Sequence, residues 1–213
     1  MRFLVSAGPT REFVDPVRFL SNRSTGKMGF AVAGAAAAAG HEAVLVAGPV
    51  ALDTPAGVRR IDVVSARDML AALERELDAA DALVMAAAVA DWRPAESAPQ
   101  KLKKSAMAPC IPLVPNPDIL RTLAPRKGNR VFIGFAAETG APEEEAARKL
   151  AAKGLDFICA NDVTAPGAGF GTETNIVTII GRNGFRDALP LMAKTEVARR
   201  IVELAEEKWR KAQ

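Results

Sequence analysis

The 213-residue chain has no tyrosine, a single histidine (His41), two cysteines (Cys110 and Cys159) and an aromatic content of 5%. Each shortage removes a class of chemistry. One histidine gives poor support to a zinc cluster or a Ser-His-Asp triad. His41 itself follows Gly40 just past a helical run, where glycine suits a helix end and imidazole suits the dipole. Without tyrosine there is no Tyr-x-x-x-Lys pair for a short-chain dehydrogenase. Few rings and a near balance of charge, Lys+Arg 28 against Asp+Glu 25, argue against a nucleic-acid partner. Two thiols without CxxC spacing fit a reducing cytoplasm, and Cys159, inside the apolar run 157–160, is expected to be a buried small hydrophobe. No stretch approaches the roughly 18 continuous apolar residues of a membrane span. The first strand-like run starts within two residues of Met1, so no targeting peptide is expected.

What is present is alternation. At 49% hydrophobic, the chain can bury a substantial core as one domain over 1–213. Strand-like runs recur at 2–6, 43–47, 59–64, 82–87, 130–135 and 156–160, with helical patterns at 27–39, 66–79, 117–124 and 142–153. This rhythm predicts an α/β fold with a mostly parallel sheet and helices on both faces. The runs at 83–86 and 131–134 are continuous rather than alternating, as buried central strands should be. Residues 175–180 and 185–189, joined across Arg182-Asn183-Gly184, read as a C-terminal hairpin. An amphipathic helix at about 193–209 follows.

Ser21 to Gly29, S-N-R-S-T-G-K-M-G, lies between the first strand and the first helix. A polar, glycine-containing turn at a helix N-terminus is a natural anion site, because unpaired N–H groups and the helix dipole both favour negative charge. Gly26 and Gly29 would let a ligand approach the backbone, Ser24 and Thr25 offer hydroxyls and caps, and Lys27 adds charge. It is not a Walker A loop, since Ser21 and Met28 stand where Gly and Ser or Thr are needed. A Rossmann G-x-G-x-x-G is absent too.

Two segments break the rhythm. Residues 91–117 are rich in proline and carry Lys101-Leu102-Lys103-Lys104, and residues 164–174 hold three glycines and a proline. Both are long for plain connections and read as lids or interface loops. The lysine cluster follows the C-terminal end of a central strand, where open α/β sheets bind ligands.

Several pieces then match one family in order: Ser6 to Thr10, Asp15 to Phe19, Ser21 to Gly29, Ala87 to Trp92, Lys101 to Lys104, Asn116 to Ile119, Gly134 to Thr139 and Ala160 to Val163. The chain resembles bacterial phosphopantothenoylcysteine synthetase, the second activity of the bifunctional coenzyme A biosynthesis protein. The resemblance implies a Rossmann-like three-layer fold, with the C-terminal hairpin and a proline-rich flap at about 91–117. It implies a cytoplasmic ligase joining 4′-phosphopantothenate to L-cysteine with CTP, through an acyl-cytidylate, with Mg²⁺ arriving on the nucleotide. It also implies a homodimer. The family's flavin-dependent decarboxylase domain is not in the sequence, so the chain is expected to be either stand-alone or a domain excised from a bifunctional protein.

Carried over by position, the resemblance makes Asn22 a contact of phosphopantothenate and of the intermediate, with Ala87 and Ala88 beside the pantothenate. Arg18 would reach the substrate phosphate from the neighbouring subunit, and Lys101 would serve amide formation from the flap. Gly8, Ser24, Gly26 and Gly29 match the phosphate-side turns. Asp91, Asn116, Pro117, Asp118, Ile119, Phe135, Lys149 and Lys153 match base, ribose and phosphate contacts, and Lys101 also borders the nucleotide. No metal ligands are assigned.

Two other readings stand beside this one. A Rossmann-like NAD(P)-dependent oxidoreductase fits the strand rhythm, but the second strand ends in Ala47-Gly48-Pro49 without the acid expected at a ribose. A non-catalytic nucleotide-binding module explains the glycine turns but leaves Asn22, Lys101 and the flap without a use.

Overall fold

The protein is described here from a computed structural model covering residues 1–103, 110–138 and 142–212. Lys104, with the 104–109 part of the predicted flap, and Thr139 lie outside the described residues. Among the described residues the strands are, in chain order, β1 (Arg2–Ala7), β2 (Glu12–Phe13), β3 (Phe19–Leu20), β4 (Glu42–Ala47), β5 (Val58–Asp62), β6 (Ala82–Met85), β7 (Trp92–Pro94), β8 (Leu113–Pro115), β9 (Val131–Glu138), β10 (Phe157–Asp162), β11 (Thr174–Gly181) and β12 (Arg186–Ala193). The helices are α1 (Lys27–Ala38), α2 (Ala66–Glu76), α3 (Ile119–Leu123), α4 (Pro142–Ala152) and α5 (Lys194–Arg210).

Eight strands form one sheet in the order β12-β11-β10-β9-β6-β1-β4-β5. From β5 to β10 every pairing is parallel, and the β11–β12 hairpin closes the edge antiparallel. The strand order reverses between β1 and β6, creating the crevice at which doubly wound sheets bind ligands. Both faces are covered, because successive side chains point opposite ways. Phe3, Val5 and Ala7 pack with α1 and α5, whereas Leu4, Val44 and Leu83 pack with α2, α3 and α4. That is why these strands read as continuous apolar runs.

Helix ends follow local chemistry. Ser65 and Asp68 form a capping box at α2. Pro117 lies outside α3, whose N-cap is Asp118, so that helix is shorter than the periodicity predicts. After α1, Gly40 takes φ +81° and the His41 N–H donates to the Ala36 carbonyl, closing the helix in a Schellman-type turn. His41 stacks on Phe3 and pairs with Glu206 at 2.6 Å, by the N-terminal end of β1. Cys159 is fully buried, and burial pushes its thiol well up. No helix among the described residues is long and apolar enough to cross a membrane.

Candidate active site

The connection after β1 builds the site. It first makes the small β2–β3 ribbon, then returns to start α1 at Gly26, whose φ of +80° turns the chain into the helix. The expected hydroxyl caps are absent. Gly26 itself is the N-cap, Ser24 Oγ accepts only the Gly26 N–H at 3.4 Å, and Thr25 Oγ1 donates to the Phe170 carbonyl at 2.6 Å. Across the switch point, the segment after β6 lies beside Gly8, with the Ala88 N–H donating to the Gly8 carbonyl at 2.9 Å. Asn22 ties the two segments together. Its Nδ2 donates to the Ala88 carbonyl at 2.6 Å, while its Oδ1 accepts the Ser24 N–H at 3.0 Å.

Two cavities open at this edge. The first, about 360 Å³, is lined by Asn22, Ser24, Gly26, Ala87, Ala88, Asp91, Phe135 and Lys149, all named from the sequence. The second, about 210 Å³, takes Asn116, Pro117, Asp118, Ile119 and Lys153. Ala87, Val89, Asp91 and Phe135 line both, so the two adjoin. The second is braced by its own residues. Asn116 Nδ2 donates to the Ala90 carbonyl at 2.8 Å, and Lys153 pairs with Asp118 at 3.2 Å.

Four predicted residues do not line either cavity. Gly29 lies in the first turn of α1 against β1. A Cβ there would stand 2.6 Å from Ala7 Cβ and 2.7 Å from the Ser6 carbonyl oxygen. Its missing side chain lets the helix seat on the strand. Gly8, φ +79°, packs against Gly48 and Val50. Arg18 lies next to the β2–β3 ribbon, where its guanidinium pairs with buried Asp15 and donates to the Leu102 carbonyl at 3.0 Å. Asp15 also accepts the N–H groups of Val17, Arg18 and Leu102. The Arg18 hydrogen bond holds the Asp15 carboxyl well below the usual carboxylate range. Lys101 is exposed, next to this anchored Leu102. Thus the predicted flap is tied near its middle, at Leu102, to the Arg18 turn.

The first cavity also contains Lys27, read from the sequence only as a charge at the anion turn, and Lys194, Asn161 and Asn175, to which the sequence gave no role. Lys27 bonds the Gly171 carbonyl at 2.8 Å and pairs with Glu173 at 2.5 Å. Lys194 is buried and donates to carbonyls of the glycine-rich loop. Burial, with Lys27 nearby, lowers its pKa. Asn161 and Asn175, both buried, bring amides to the same wall. Lys27 and Asn161 stood inside motifs already noticed, whereas Lys194 gave no local signal. Three lysines and one carboxylate, Asp91, line this described wall, with Glu173 and Glu145 pairing Lys27 and Lys149 from beside it, and the lining itself stays cationic enough to suit a polyanion. Among the described residues no group of three or more His, Cys, Asp or Glu could hold a metal. A protein cage for Mg²⁺ is therefore absent from them, and a single carboxylate such as Asp91 fits only an ion that keeps phosphate and water ligands.

Comparison with known proteins agrees with the fold. The sequence model of the family described as DNA/pantothenate metabolism flavoprotein C-terminal domain matches residues 1–208. The coenzyme A biosynthesis bifunctional protein CoaBC of Bacillus subtilis is 47% identical over 201 residues, covering 94% of this chain and 50% of that protein. CoaBC of Vibrio cholerae is 47% identical over 209 residues, covering 97% and 52%. The chain thus spans about half the length of these curated relatives. The crystal structure of the C-terminal domain of a CoaBC protein superposes with a TM-score of 0.85 at 41% identity, covering 99% of this chain and 96% of that one. With matches of this extent, the chain belongs to the DNA/pantothenate metabolism flavoprotein C-terminal domain family.

Proposed function

We propose that the chain is the phosphopantothenate–cysteine ligase of coenzyme A biosynthesis. The carboxylate of 4′-phosphopantothenate attacks the α-phosphorus of CTP, giving an acyl-cytidylate and expelling pyrophosphate. The amine of L-cysteine then attacks the acyl carbon. The C–O bond to CMP breaks, the amide forms, and the ammonium proton is lost to a base.

The observation that carries this reading is the pair of adjoining cavities at the switch point, with Asn22 fixed on the wall of the larger one. Two polyanions need adjacent compartments, cations and preorganised donors more than a proton-shuttling histidine. Lys27 and Lys149 supply charge on one side and Lys153 on the other. In this reading the phosphopantothenate lies beside Ala87 and Ala88, and Asn22 donates to the reacting acyl group. The nucleotide extends past Phe135 toward Asn116–Ile119. Mg²⁺ would arrive with CTP, with Asp91 as its protein-side contact, and its charge would offset that of the triphosphate. Lys101 acts in the second step.

The functional unit is a homodimer in which Arg18 serves the neighbouring site. Exposed Phe13, Val17, Phe19, Trp92 and Leu113 on the two ribbons support such an interface. The reaction would run in the cytoplasm beside a flavin-dependent decarboxylase, in keeping with the bifunctional name of the relatives at twice this length. Pyrophosphate release with phosphopantothenate and cysteine, run in parallel with CTP and ATP, tests the reading. CTP should have the higher kcat/KM, and equal values would refute the nucleotide assignment.

A further inference from the structure

Lys194 opens α5 in a position with much against it. Its side chain is 6% exposed, stands at the positive end of a helix dipole and lies near a second lysine, Lys27. Its ammonium is met by three backbone carbonyls: Thr172 at 2.7 Å, Gly169 at 3.0 Å and Phe170 at 3.3 Å. All three belong to the glycine-rich segment between β10 and β11. Thr25 adds a bond to the Phe170 carbonyl and Lys27 one to that of Gly171, so four successive carbonyls, 169–172, accept from side chains at the starts of α1 and α5. Gly169 and Phe170 line the same cavity as Asn22 and Asp91.

Several carbonyl oxygens around one cation is how backbones hold potassium ions. Burying a lysine for this purpose is costly, and removing it would strip the Thr172 carbonyl of its cation, while Thr172 Oγ1 at 2.9 Å and Thr25 Oγ1 at 2.6 Å would stay on the Gly169 and Phe170 carbonyls. We propose that Lys194 is a positioning residue, a built-in ammonium in the place of a monovalent cation, which fixes the 164–173 loop as a wall of the nucleotide cavity. The assignment of the ligand rests on the function proposed above. Lys194 acts through the loop.

The test compares the full chain with Lys194→Ala and Lys194→Met, first by hydrogen exchange without substrate. Each is measured in N-methylglucamine chloride, then in potassium or ammonium chloride at equal ionic strength. Amides of 164–173 should lose protection about tenfold or more in both variants, with β9 and β10 unchanged. Potassium or ammonium should restore protection in Lys194→Ala, where the shortened side chain leaves room for an ion. It should not do so in Lys194→Met, where the thioether fills that space, and the parent should ignore the salt. Calorimetric affinity for CTP should follow the same pattern, about tenfold weaker and then recovered only in Lys194→Ala. Unchanged loop protection, equal recovery in both variants, or global unfolding of both overturns the proposal. If the parent binds no CTP, the nucleotide reading fails, while the exchange data still decide the role of Lys194.

Discussion

Replacing Gly29 by alanine separates two roles a glycine can have at the start of α1. If it serves only to admit a ligand, alanine should leave stability intact or raise it, because alanine gains up to about 1 kcal/mol of helix propensity. The structure predicts the reverse. The added methyl would lie 2.6 Å from Ala7 Cβ and 2.7 Å from the Ser6 carbonyl oxygen, both on central strand β1. Neither neighbour is the end of a flexible side chain, so relief requires the helix to move off the strand. Overpacking of this kind costs about 1–3 kcal/mol. Taking the upper end and subtracting the propensity gain leaves a net loss of about 2 kcal/mol. For a chain of this size that lowers Tm by about 4–8 °C. Gly34→Ala is the matched control, since a Cβ there meets only the Pro55 ring, at 3.3 and 3.7 Å, and it should be close to neutral. Urea and thermal unfolding of both variants decide the matter. A Gly29→Ala variant as stable as the parent would refute the packing role.

Asp15→Asn should free the flap at Leu102 and weaken phosphopantothenate use, read as a raised KM with increased proteolysis near Leu102. Because the folded Asp15 pKa is depressed, its contribution is present above the ordinary carboxylate pKa of about 4 and is lost as pH falls through the folded value. The parent should therefore show an acid-side loss of stability that the Asn variant lacks, and matching acid limbs would count against the anchor. Arg18→Ala and Asn22→Ala should each be deficient alone, yet regain activity in mixed dimers. No recovery in verified heterodimers would remove the shared site. Lys101→Gln should still release pyrophosphate from CTP with phosphopantothenate while making little amide, and a parallel fall in both would reduce Lys101 to a binding charge.

The sheet was largely legible because its central strands, β1, β4, β6 and β10, are buried on both faces and the hairpin strand β11 alternates. The runs at 2–6 and 43–47 correspond to β1 and β4 nearly residue for residue. The hairpin was placed by Arg182-Asn183-Gly184, where Asn183 and Gly184 both adopt positive φ. The ribbons β2–β3 and β7–β8 were missed, since strands of two or three residues leave no period to detect. At the site, residues in contiguous motifs, such as Asn22, Ala87 and Asn116, could be grouped before folding. Lys194 could not, because it looks like an ordinary helix lysine until α5 and the 164–173 loop meet. Gly29 was recognised as special, but the position of its missing Cβ depends on how the helix sits on β1.

The central claim is that the substrate carboxylate is activated on the α-phosphorus of the nucleotide. Phosphopantothenate labelled with ¹⁸O in its carboxylate, converted with CTP and cysteine in unlabelled water, tests it most directly. Attack on the α-phosphorus and later cleavage of the acyl C–O bond leave one labelled oxygen in CMP and none in pyrophosphate, the predicted result. Label in inorganic phosphate or pyrophosphate, or unlabelled CMP beside labelled water, would contradict the acyl-cytidylate route and the reading of the site built on it.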